Sequence, residues 1–280
     1  MLRSARHSGI ALLAAFGIAL FAGALLPRAD DPRYIDFAGP QALNVWSNAA
    51  FLIAGVAGLI VLARARKRLI DPAAETWPLA VFFLGNVATC FGSAYFHARP
   101  DLGARLAWDR LPMTIAFAAF LGVFINERIR MRLGSRLVTP LALLGVATVW
   151  WWLQSHDLTF YSAYQAFAAG GALFMLVFFA PLYTGDGYYC AGVVLYGVAK
   201  AFEVFDRPLY DAIGIAGHPL KHVIAAGTTA MVALHLARRS PAASRKERVI
   251  PSREDGEESR RVCERRAGRI GILRRLRGSG

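Results

Sequence analysis

The chain has 280 residues, 56% of them hydrophobic, with a mean hydropathy of +0.39 and a formal net charge of +13. That apolar content excludes an ordinary soluble domain. The charge does not argue for nucleic acid either: residues from Arg238 onward hold fourteen Lys/Arg against six Asp/Glu, +8 of the total, and most other basic residues flank apolar segments.

Apolar runs long enough to cross a bilayer recur at 8–26, 43–63, 77–97, 109–127, 137–153, 159–180, 187–205 and 218–237. They predict an all-α, polytopic membrane helix bundle. In lipid only helices or closed barrels satisfy the backbone, and the short alternating segments of a barrel are absent. The first run follows Arg3 and Arg6, and no small-residue cleavage site stands out before Pro27. It reads as an uncleaved span in preference to a signal peptide. The expected organisation is a basic segment with an extra span (1–30), a seven-helix membrane domain (31–237) and a basic, solvated, disordered cytoplasmic tail (238–280).

Loop charge gives the topology. Arg3 and Arg6, then Arg64, Arg66, Lys67 and Arg68, then Arg128, Arg130, Arg132 and Arg136, and finally Arg238 and Arg239 mark every second boundary. Positive residues stay inside, so both termini are expected in the cytoplasm, with the inner membrane as the location in a bacterium. The loop near Asp186 falls on the same side yet adds no positive charge. Cys90, Cys190 and Cys263 are far apart and form no CxxC pair, so neither a disulfide framework nor a thiolate metal site is expected.

Polar residues in this background are functional candidates, because ionisable groups inside a membrane are costly. Asn44, Ser47 and Asn48 open the second run. Ser93 and His97 close the third, one helical turn apart, and Asp109 opens the fourth. Lys200, Glu203 and Asp206 close the seventh, and His218 and His222 open the eighth, again one turn apart around Pro219. The topology places His97, Asp109, His218 and His222 on one side, the extracytoplasmic one, an agreement that residue type alone does not force.

Three neutral imidazoles with one open position suit a catalytic zinc. Such a metal lowers the pKa of its water to about 7 and polarises a carbonyl, which is the chemistry of amide or ester hydrolysis. Asp109 fits a general base or an outer partner that orients a ligand or the water. Ser93 fits a donor to a developing oxyanion. Carboxylate-rich magnesium or calcium sites would look different. Plainer readings exist for each piece. An HxxxH pair arises by chance. His235 fits a packing residue, and His7 and His156 fit interfacial ones. Lys200 and Glu203 fit a structural ion pair. Trp150, Trp151, Trp152, Tyr188 and Tyr189 fit an interfacial belt, and Asn44, Ser47 and Asn48 fit interhelical hydrogen bonding.

Taken together, Asn44-Val45-Trp46-Ser47-Asn48, Ser93-Ala94-Tyr95-Phe96-His97, Asp109, the run Tyr196–Glu203 and Gly217-His218-Pro219-Leu220-Lys221-His222 resemble the alkaline ceramidase family. That family lies in the superfamily that also holds the adiponectin and progestin receptors and the Per1 lipid-remodelling proteins. The likeness covers roughly 34–237. It implies a seven-helix core, with the first span an N-terminal addition. It also implies zinc held by His97, His218 and His222 with Ser93 and Asp109 beside it, and cleavage of a ceramide-like amide to a sphingoid base and a fatty acid. Gln41 stands where the eukaryotic enzymes carry a Glu of their calcium site, which puts calcium regulation in doubt. Tyr34-Ile35-Asp36-Phe37 looks more like bacterial relatives, so ceramide is one candidate among lipid amides.

Three functions are therefore open. A zinc hydrolase would act on a membrane lipid amide, with the bilayer and no nucleic acid as its partner. A receptor-like or sensor protein would bind lipid without turnover. A transporter would use Lys200, Glu203 and Asp206 as a relay, although the half-helix repeats of that class are not evident.

Overall fold

A computed structural model describes residues 37–101 and 103–242, together with helical positions 14, 17, 18, 21 and 22. Apart from those five positions, the predicted first span lies outside the described residues, as does the predicted tail from 243 onward. The chain divides into two compact units, Met1–Pro241 and Ala242–Gly280, and the helices below belong to the first.

The described residues are helical, with one isolated bridge between Tyr183 and Pro241. A short α1 (Gln41–Trp46) leads into α2 (Ala49–Ala65), followed by α3 (Pro72–Ala98), α4 (Ala104–Phe124) and α5 (Leu133–Ser155). Then come α6 (Thr159–Phe178), α7 (Asp186–Val204), α8 (Asp206–Ile213) and α9 (Gly217–Arg238). Among the described residues, six stretches are long and apolar enough to cross a membrane, or seven if the bent pair α7–α8 counts as one. The protein is a multi-pass membrane helix bundle.

Local chemistry sets several of these boundaries. Asp71 caps α3 by accepting from the Ala74 amide at 3.2 Å, just ahead of Pro72, and Glu75 Oε1 accepts from the Asp71 amide at 2.9 Å. The seventh predicted run, 187–205, is matched within one residue at each end by α7, while the stretch between it and the last run, 206–217, contains a helix. The chain leaves helical geometry at Phe205 and turns by 74° into α8, whose eight residues are all at least partly exposed and include Asp206, Arg207 and Asp211. Gly214 ends α8 with φ +71°, a conformation glycine adopts at no steric cost.

Two glycines permit backbone contacts that hold the helices close. A Cβ on Gly92 would lie 2.1 Å from the Trp108 carbonyl oxygen, and one on Gly217 would lie 2.2 Å from that of Phe202. The first contact locks the end of α3 to the start of α4, and the second locks the start of α9 to the end of α7. Both sit beside polar residues singled out from the sequence.

At the far ends of α3 and α9 lies a buried ion network. A one-turn π segment, Ile125–Ile129, closes α4 and is buried throughout, so Glu127 and Arg128 lie in the interior. Arg239 pairs with Glu75 at 2.6 Å and with Glu127, while its guanidinium stands 3.8 Å above the Tyr183 ring. The Tyr183 hydroxyl donates to Glu75 at 2.7 Å, and burial pushes its phenol well above the ordinary range, which keeps that proton in place. Tyr189 donates to Glu127 at 3.1 Å, and Arg128 holds Asp186 at 2.5 Å. This corrects two sequence expectations. Arg128 and Arg239 are buried partners of carboxylates and not loop or tail cations, Arg128 being paired with Asp186. Trp152 and Tyr189 are buried too, so they are core residues and not part of an interfacial belt, whereas Trp150 and Trp151 are exposed.

Candidate metal centre

The three histidines come together. His97 closes α3, His218 and His222 occupy the first two turns of α9, and all three are buried. One ring nitrogen from each lies within 4.8 Å of the others, and His97 Nε2 and His218 Nε2 are 3.2 Å apart. Two imidazoles on a tetrahedral zinc at bond lengths of about 2.0–2.1 Å would hold their nitrogens roughly 3.3 Å apart. The His97–His218 spacing fits that requirement. The cluster can hold a metal ion.

The surroundings orient each ring. Ser47 Oγ lies 2.8 Å from His222 Nδ1, which leaves Nε2 free to ligate. The Phe37 ring packs on His97 and His218 with centroids 4.7 and 4.4 Å away. His97 Nδ1 has no hydrogen-bond partner among the described residues, so packing by Phe37 and Phe96 fixes this ring. Asp206 ties the arrangement together: its carboxylate accepts from the His218 amide at 2.6 Å and from the Ala38 amide at 2.9 Å. One side chain thus supplies an acceptor to the first turn of α9 and holds the segment carrying Phe37. It replaces the capping side chain that Ala216 lacks.

Ser93 and Asp109 share the site. Ser93 is buried one turn before His97, and its hydroxyl lies close enough to the Asp109 carboxyl to act on its charge. Both residues, and the three histidines, line one cavity of about 420 Å³. Phe82, Phe117, Phe120, Leu173 and Val232 make most of its further wall apolar, and Lys200, Glu203 and Lys221 reach its polar end. Glu203 bridges the two lysines, at 2.5 Å to Lys200 and 2.8 Å to Lys221. The Lys200–Glu203 contact is therefore an ion pair, and Asp206 is engaged elsewhere, so the relay is not assembled as a chain of three.

His235 lies outside the cluster. It stacks on Tyr189 with centroids 4.1 Å apart, and its Nδ1 is 3.2 Å from the Gly185 carbonyl oxygen. Cys90 is a free buried thiol and Cys190 an exposed one, neither belonging to the site.

Sequence reasoning missed three contributors. Ser47 was assigned to interhelical bonding, yet it opens a run on the same predicted side as His222, a signal that was available. Phe37 carried none, and Asp206 stood out only as a member of a relay with Lys200 and Glu203, since both roles depend on how the loops close over the bundle end. Replacing Ser47 by Ala should weaken metal binding by about 10–100-fold without unfolding the protein, as loss of an outer ligand partner does. Competition with a chromophoric chelator measures this, and an unchanged affinity would show that Ser47 does not orient the ring.

No protein-family model, no curated protein and no solved structure matches the chain.

Proposed function

We propose that the protein is a zinc-dependent integral-membrane hydrolase that cleaves the amide bond of a ceramide-like lipid. The observation that supports it is the meeting of three buried imidazoles, a Ser93–Asp109 pair and a largely apolar cavity at one place. An all-imidazole donor set favours zinc over magnesium or calcium. In this reading the seven spans form the core and 8–26 adds one span, the site faces the extracytoplasmic side and both termini are cytoplasmic.

Zinc in such a site supplies a water of lowered pKa and polarises a carbonyl. The residues divide the remaining work. Asp109 takes the proton of the attacking water on its carboxylate, and Ser93 gives its single hydroxyl hydrogen bond to the oxygen that gains charge. The apolar wall accepts the acyl chain and excludes water, while Lys200, Glu203 and Lys221 face the head group. His97, His218 and His222 stay as neutral ligands.

The test is turnover of a short-chain fluorescent ceramide by Asp109→Asn. Activity should fall by about 10²–10⁴-fold while metal content stays at the wild-type level. Unchanged turnover would remove Asp109 from the mechanism. The cover of Phe37 over two ligand rings favours one second reading, a receptor-like protein in which the metal is structural and lipid binds without turnover. Tight lipid binding with no product from any amide or ester would establish that reading.

A further inference from the structure

A second concave site lies at the other end of the bundle. Twenty residues of α9 separate His218 from Arg238, about 30 Å along the helix. There the turn after α2 meets the end of α9 around a pocket of about 600 Å³. Lys67, Arg68, Arg238 and Arg239 line it with Leu69, Ile70, Ser240 and Pro241, and no acidic side chain does.

Boundary cations set topology wherever they stand, so their presence alone means little. Three details go beyond that role. The cations come from segments some 170 residues apart and converge on one concavity. Arg68 donates to the Ala237 carbonyl oxygen and Arg238 to the Tyr188 hydroxyl at 3.3 Å, so both are held in place. Arg239 is buried and clamped by Glu75 and Glu127, yet its Nε has no acceptor among the described residues. An oxyanion would supply one. Ser240 adds an exposed hydroxyl at the rim.

We infer that this pocket binds a phosphate group, in first place the phosphomonoester head of an anionic lipid from the adjacent leaflet. Its position at the ends of two spans puts it at head-group depth, where basic pockets between helices take anionic lipids. Three exposed cations around a tetrahedral anion give charge-assisted hydrogen bonds, and the aliphatic walls of Leu69 and Ile70 border the glycerol side. The site is independent of the histidine cluster.

The experiment uses the full chain in neutral detergent with dioctanoyl phosphatidic acid, dioctanoyl phosphatidylcholine and inorganic phosphate, read by intrinsic tryptophan fluorescence or native mass spectrometry. Wild type should bind one phosphatidic acid at least about tenfold more tightly than phosphatidylcholine, more weakly as salt rises. The double variant Arg68→Gln/Arg238→Gln should lose at least about tenfold in affinity. If that variant fails to fold, Lys67→Gln alone should still weaken binding. Inorganic phosphate that competes at similar concentration would identify a free phosphate as the ligand, and lipid alone a head group; either supports the site. Arg64→Gln/Arg66→Gln removes equal charge from the same end outside the pocket. An equal loss in that control, or no preference over phosphatidylcholine, would overturn the proposal.

Discussion

Purified in detergent with zinc supplied, the wild-type protein should carry about one zinc per chain and His218→Ala well under one tenth of that. The loss is large because the ligands are few: removing one of three imidazoles leaves two, on neighbouring rings of α3 and α9. Stability should follow metal. A ligand present at about 1,000 times its dissociation constant stabilises the folded state by roughly 4 kcal/mol. Adding a chelator should therefore lower the unfolding temperature of wild type by several degrees, and should leave His218→Ala unmoved. Elemental analysis and a detergent-phase thermal melt measure both. Metal retained by His218→Ala would mean that the three histidines do not form the site. A chelator-insensitive wild type would mean the same.

The second large effect concerns the opposite end. Arg239→Met removes the cation shared by Glu75 and Glu127 and leaves two carboxylates buried without it. Breaking a buried pair from one side costs about 3–5 kcal/mol, so the unfolding temperature should fall by roughly 10 °C. The triple variant Glu75→Gln/Glu127→Gln/Arg239→Met should recover most of that loss, since an uncharged set of similar volume carries no unmatched charge. Equal melting of Arg239→Met and wild type would show that the network is solvated. Zinc content should change little in either variant, because about 30 Å of helix lies between.

The sequence carried the spans, because lipid makes apolar length a direct readout of crossing helices, and it carried the histidines, because imidazole in an apolar run is rare. Their shared position was legible too: alternating basic boundaries placed His97, Asp109, His218 and His222 at one end of the bundle, and there they meet. What escaped was everything that depends on the third dimension. Nothing in the run Leu121–Arg136 marks the π turn that draws Glu127 and Arg128 inside. An arginine that sets topology and one that closes a buried network look the same in a string of letters. The end of the seventh run at 205 was legible, but the helix that follows was not, because Asp206, Arg207, Pro208, Asp211 and Gly214 read as a polar loop.

The ion network also bears on how the protein is made. Glu75 enters the membrane with the second of the described spans and Glu127 with the third, whereas Arg239, which faces both, follows the last. Through most of synthesis the two acids therefore wait without their shared cation. The bundle end closes only when α9 has been delivered. Two of the three site histidines ride on that same helix, so a chain interrupted before its final span lacks both the lock at one end and the ligands at the other.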